Sequence, residues 1–166
     1  MISALTVLGS AAVFVIALLV GLSLVTSEPD TQAAGPTCED RQVAAGEALT
    51  ANLVKVNVLN ASGREGLANR VSINLQRKGF LAGTVSNSTS ELEVPTVAIL
   101  TTDPTDPRVQ LVALQVPGAQ ILEPDIELEE GVTVILGPGY GAIDDAAPTE
   151  VPSDRDLTFC VPIAAI

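Results

Sequence analysis

The sequence predicts an α/β protein: an N-terminal transmembrane helix, then a small two-layer α/β sandwich of order β-α-β-β-α-β-β, with two helices on one face of a mixed sheet. Three observations carry this reading. The first 27 residues contain no Asp, Glu, Lys or Arg, and all 20 acidic and 8 basic side chains follow them. Leu53 to Phe80 changes from a two-residue to a helical hydrophobic period. Val94 to Val116 then makes the same change a second time.

Ile2 to Val25 is long enough to cross a hydrocarbon core, which takes about 20 apolar residues. A cleaved signal peptide competes with this reading. Its apolar region would be about 7–15 residues long and preceded by Lys or Arg. Nothing basic precedes the segment here, so residues 1–27 are expected to be an uncleaved anchor. Residues 28–52, rich in Pro, Gly, Ala and acids and without sustained periodicity, read as a linker.

The next unit is LVKVNVLNASGREGLANRVSINLQRKGF, residues 53–80. Val54, Val56 and Val58 alternate with Lys55 and Asn57, the period of a half-buried strand. Asn60-Ala61-Ser62-Gly63 supplies turn chemistry, with Ser62 as N-cap and Glu65 completing a capping box. Leu67, Val71 and Leu75 follow at helical spacing. Arg77 and Lys78 suit the negative end of the helix dipole, and Gly79 suits a left-handed closing residue.

Phe80 to Ser86 reads as a strand weakened by Gly83, and residues 87–93 as a polar loop. Val94 to Leu100 is a strand with Pro95 at its start. Asp106 and Pro107 begin the second helix as N-cap and first helical residue. That helix carries Val109, Val112, Ala113 and Val116 on one side and Leu111 and Leu114 on the other, so something besides the sheet should cover it. Ala119 to Leu122 and Val132 to Leu136 are the remaining strands, separated by an acidic loop at residues 123–130. Gly137 to Gly141 form a turn in which Tyr140 reads as a packed ring. Residues 144–156 are acidic and expected to be loose. An apolar patch around Cys160 follows, expected to pack back as an edge strand or over the second helix.

A strand running into LNASGREGLANRV and a helix ending in KGF resembles the opening of the LytR C-terminal domain family. The likeness continues through VPTVAIL, DPRVQLVALQVPGAQ and GVTVILGPGYG, so the family-like domain is expected over residues 53–141, with residues 142–166 as an acidic tail. The resemblance implies an actinobacterial cell-envelope protein, here of the standalone, membrane-anchored type. It also implies an extracytoplasmic domain that supports envelope integrity or wall assembly by binding envelope or cell-wall assembly proteins, with wall polymer as a further partner. The LytR-CpsA-Psr phosphotransferase domain is absent, so no transfer activity is inherited. Residues 2–25 would contact the bilayer.

Cys38 and Cys160 are the only cysteines and bracket the soluble part. In an oxidising compartment an even count implies one disulfide. Closing so long a loop would remove roughly 4–5 kcal/mol of unfolded-state entropy. Two unrelated buried thiols are the competing reading.

Catalytic groupings are scarce. With no histidine, a Ser-His-Asp triad and the usual zinc sites cannot be built, and no enzyme activity, metal or cofactor is expected. Carboxylate pairs such as Asp103/Asp106, Glu129/Glu130 and Asp144/Asp145 read as solvated loops, with calcium at Asp125 to Glu130 left open. A net charge of -12, one Tyr, three Phe and no basic stripe disfavour nucleic acid. Binding is expected at the open face of the sheet or at Asn60, Ser62, Gly63 and Gly66, a helix N-terminus able to receive an anion such as a phosphate-bearing wall precursor or glycan. A purely structural turn competes with that assignment, its glycines serving close helix–sheet approach.

Overall fold

Hydrophobic alternation and helical spacing translate directly into the central elements of the computed structural model, which describes residues 38–162. The expected anchor at residues 1–27 and the first part of the expected linker lie outside these residues. Among the described residues no helix is long and apolar enough to cross a membrane.

Strands are β1 (Cys38–Val43), β2 (Ala48–Thr50), β3 (Lys55–Asn60), β4 (Leu81–Asn87), β5 (Val97–Leu100), β6 (Gln120–Leu122), β7 (Val132–Leu136), β8 (Glu150–Pro152) and β9 (Leu157–Pro162). The helices are α1 (Leu67–Arg77) and α2 (Pro107–Gln115). From β3 to β7 the order is the β-α-β-β-α-β-β expected from the sequence. These five strands form one mixed sheet in the order β4-β3-β7-β5-β6. β3 runs parallel to both neighbours, and β5 runs antiparallel to β7 but parallel to β6.

Both helices lie on one face. Leu67, Val71 and Leu75 of α1 and Val109, Leu111 and Val112 of α2 share a core with Val56, Val58, Ile99, Val134 and Leu136 of the sheet. Each such side chain contributes about 1.5–3 kcal/mol on full burial, so this layer supplies most of the hydrophobic stabilisation. α1 closes as a Schellman motif: the Phe80 N–H donates to Leu75 O at 3.1 Å and the Gly79 N–H to Gln76 O at 2.9 Å. Gly79, at φ +99°, takes the left-handed position, and Phe80 and Leu75 are both buried. α2 begins as expected, with the Arg108 N–H donating to the Asp106 carboxylate at 2.8 Å and Pro107 in the first turn.

Five expectations need correction. α1 starts after Gly66, which has left-handed dihedrals and no side-chain cap, so Ser62 is not its N-cap. β3 is buried on both faces rather than half-buried: Asn57 and Leu59, on the side away from the helices, are 2% and 8% exposed. The cause is the acidic segment at 123–130, where Ile126 and Leu128 pack onto Leu59, Ala98, Leu100 and Ile135 as an extended strap. Part of the expected linker is also structured. β1 pairs with β9, β2 pairs with β8, and Leu49 is fully buried.

Finally, the tail at 144–156 is held rather than loose. The Asp144 N–H donates to Gln115 O at 2.8 Å, Lys78 Nζ to Asp144 O at 2.5 Å, and Gln115 Nε2 to Pro148 O at 2.7 Å. β8 lies against α2. This is the cover that the two-sided helix required: Leu111 is fully buried, while Leu114 remains 45% exposed. The apolar C-terminal patch does not join the main sheet. It becomes β9 of a separate two-stranded ribbon, with Phe159 inserted into the helix-side core.

Cys38 and Cys160 form a disulfide within that ribbon, with Cα atoms 5.2 Å apart and a sequence separation of 122. The bond answers the competing reading of two separate thiols.

Candidate functional site

The C-terminal ends of the parallel strands β3, β4 and β7 lie at one edge of the sheet, and the Asn60–Gly66 loop leaves from the middle one. The Ala61 N–H donates to Leu136 O at 2.8 Å and the Ser88 N–H to Asn60 O at 2.9 Å, so the loop is fastened to both neighbours. Asn60 organises the turn through its side chain. Its Oδ1 accepts from Ser62 N at 3.0 Å and from Ser62 Oγ at 2.6 Å, and its Nδ2 donates to Arg64 O at 2.9 Å. Ser62 Oγ in turn accepts from Arg64 N at 3.1 Å. This is Asx and Ser turn chemistry, in which short polar side chains replace backbone partners.

Gly63 and Gly66 have φ of +71° and +70°, and a Cβ on either would meet nothing within 4 Å. They are glycines because of the left-handed backbone, not because helix and sheet approach closely there. Asn60, Gly63 and Gly66 line an open groove of about 490 Å³ together with Glu65 and Asn87, while Ser62 does not line it. The first turn of α1 has no side-chain cap and no acidic residue, which favours an anion. Against it stand the Glu65 carboxylate on the groove wall and the commitment of Asn60 and Ser62 to the turn. Arg64, the nearest cation in sequence, is used elsewhere: its Nη2 donates to Tyr140 O at 2.7 Å.

The other sequence candidates are spread apart. Asp106 caps α2 and pairs with Arg108 at 2.5 Å, which raises the Arg108 pKa. Asp103 accepts from Thr105 and pairs with Arg155 at 2.6 Å, and these contacts hold its carboxyl below the usual range. Asp154, bonded to the same Arg155, is lowered likewise. Asp125 is lowered by hydrogen bonds from Ser90 and from the backbone around Glu91. Tyr140 is a packed ring as expected. Its hydroxyl is buried without a partner among the described residues, and burial pushes its pKa up to about 12. Among the described residues no three Cys, Asp or Glu side chains are grouped to hold a metal ion. In the strap, Glu123, Asp125, Glu127, Glu129 and Glu130 all face solvent.

Sequence reasoning missed a second concavity, on the face away from the helices. A cavity of about 150 Å³ lies between β4 and the strap, with Leu59, Ile126 and Leu128 on its apolar side and Thr84, Ser86 and Asn87 on its polar side. Glu127 and Glu129 also line it, and Thr84 Oγ1 donates to Glu129. Asn57 forms its base. The Asn57 Oδ1 accepts from the Thr84 N–H at 2.9 Å and its Nδ2 donates to Glu130 O at 3.1 Å, tying β3, β4 and the strap together. The signal was present in the apolar–acidic alternation of residues 126–129, but its meaning depends on β4 lying alongside.

No curated protein matches the sequence. Among solved structures, one that is similar is the soluble domain of a conserved hypothetical secreted protein, an Rv2700 ortholog, from Mycobacterium marinum. It is 25% identical, with a TM-score of 0.49 over 61% of this chain and 68% of that one. The family model described as LytR cell envelope-related transcriptional attenuator matches residues 53–140, the span from just before β3 through Tyr140. With more than half its length matched, the chain belongs to this LytR C-terminal domain family.

Proposed function

We propose that the chain is a non-enzymatic, single-pass protein of the cytoplasmic membrane, of the standalone kind similar to the envelope integrity protein Cei. Its extracytoplasmic domain supports envelope integrity or wall assembly by binding a protein partner. The observation that carries this is the Cys38–Cys160 disulfide, which joins the two ends of the described domain. Such bonds persist outside the cytoplasm and are rare within it. Family membership supplies the cell-envelope connection.

Deleting the protein in its host should raise envelope permeability and antibiotic sensitivity, with the wild-type chain restoring both. Crosslinked membranes should yield envelope or wall-assembly proteins bound to it. An unchanged envelope together with only cytoplasmic partners would remove the proposal.

A second reading rests on the open groove at Asn60, Gly63 and Gly66: capture of a wall glycan or phosphate-bearing precursor at the uncapped start of α1. Titration with wall fragments separates the two. Saturable shifts at Asn60 and Gly63 would favour capture, and an inert groove would favour the protein partner.

A further inference from the structure

β4 is an edge strand of seven residues, LAGTVSN, without charge or proline, and among the described residues it pairs with β3 alone. Natural proteins usually protect such an edge with Lys, Pro, a bulge or a cover, because its free N–H and C=O groups accept another strand. Here a single bulge falls between the pairs Val56–Ala82 and Val58–Val85. A Cβ on Gly83 would lie 2.7 Å from Val56 O, so the bulge needs glycine. Beyond it the ladder is regular again through Asn87. Ser88 donates to Asn60, so strand alternation turns the peptide groups of Val85 and Asn87 outward. Val85 is 40% exposed, on the helix side of the sheet with its partner Val58. The opposite, sheet base-side neighbours Thr84 and Ser86 open onto the cavity under the strap.

The geometry points to β4 as the docking edge for an extended protein segment that alternates apolar and basic residues. This rests on the partner-binding reading above and names its surface. Main-chain hydrogen bonds to the Val85–Asn87 edge would give affinity, and the flanking features would give selectivity. On the helix side an apolar residue meets Val85 and Ala82. On the strap side a Lys or Arg enters the cavity, its aliphatic stem along Leu59, Ile126 and Leu128 and its cation at the Glu127 and Glu129 carboxylates. Charge selects this occupant over a second copy of the chain, since two molecules of net charge -12 would bring their acidic straps together.

The test is fluorescence anisotropy of a short labelled peptide alternating Val and Lys, titrated with the full chain in detergent, beside a Val–Glu counterpart. The basic peptide should bind saturably and the acidic one at least about tenfold more weakly. Val85→Pro removes an outward N–H that β3 does not use and should abolish binding while leaving the melting curve near wild type. Should that variant unfold, the paired charge reversal Glu127→Lys with Glu129→Lys, at exposed positions, should still weaken the basic peptide about tenfold or more. No saturation, equal binding of both peptides, or full binding by the charge-reversed protein would overturn the proposal. Self-association abolished by Val85→Pro would overturn it too, by making the occupant a second copy. Returning Val85→Pro to the deletion host keeps the two readings apart. Full restoration of a permeability defect would sink the edge and leave the envelope role, whereas peptide binding without any deletion phenotype would do the reverse.

Discussion

The two faces of the five-stranded sheet are covered by different means. On one, two helices bury valines, leucines and isoleucines in a continuous core that also takes in Leu49 and Phe159 from the paired terminal strands. On the other, a strap of alternating apolar and acidic residues lays Ile126 and Leu128 on a small cluster around Ala98 and Ile135. A helix covers a sheet with side chains from successive turns and saturates its backbone internally. A single extended strap offers only every second side chain and leaves a cavity at its margin. The helix face therefore holds the fold, and the strap face and the adjoining β4 edge are free to serve recognition.

The comparison can be broken with paired truncations. Leu111→Ala, at a fully buried position on the helix face, should cost about 3–5 kcal/mol in urea denaturation, and Leu128→Ala in the strap about 1–2 kcal/mol. Equal losses would erase the distinction. Replacing Cys38 and Cys160 by Ser should cost about 2–4 kcal/mol and loosen the β1–β9 ribbon before the sheet, because a lone two-stranded ribbon is marginal. Loss of the central sheet at the same midpoint would show the ribbon to be part of the main cooperative unit.

Tyr140 probes the helix-side core through pH. Its folded pKa of about 12 lies above the ordinary value of 10.0, so the folded state keeps its proton longer. Stability is full below pH 10 and falls as pH rises toward 12, by at most about 2–3 kcal/mol from this group. Tyr140→Phe should remove that alkaline slope and leave neutral-pH stability unchanged or raised by about 1 kcal/mol, since it deletes an unpartnered buried hydroxyl. Retention of the slope in the variant would place its origin elsewhere. The smallest effect belongs to the surface pairs of Arg155. Arg155→Ala should lower stability only slightly, by an amount that shrinks further as salt is added. Because Asp103 and Asp154 have lowered pKa values, their contribution is present above pH 3.8 and fades as pH falls below it.

Local signals made much of the fold legible. Asp106-Pro107 marked the start of α2, Gly79 the end of α1, and the apolar run Val132 to Leu136, β-branched up to Ile135, became β7. What stayed hidden depends on distant pairing. Ala48–Thr50 and Glu150–Pro152 are three residues each, too short to show a period, and they are strands only because they meet across about a hundred intervening residues. The start of α1 was misplaced because Ser62 and Glu65 satisfy the capping-box spacing, while Asn60 captures the Ser62 hydroxyl for its own turn. That loop was legible as a turn, and its residues Asn60, Gly63 and Gly66 do share a groove. The β4 edge and its cavity were not legible. They exist only where residues near 85 meet residues near 127.

The most direct test of the unequal faces is native-state hydrogen exchange on the full oxidised chain. The account predicts that amides of β3 and β7 exchange only through global unfolding, while those of β4 and the strap at 123–130 exchange through local openings at least about a hundredfold more frequent. Uniform protection across β3, β4, β7 and the strap would contradict it.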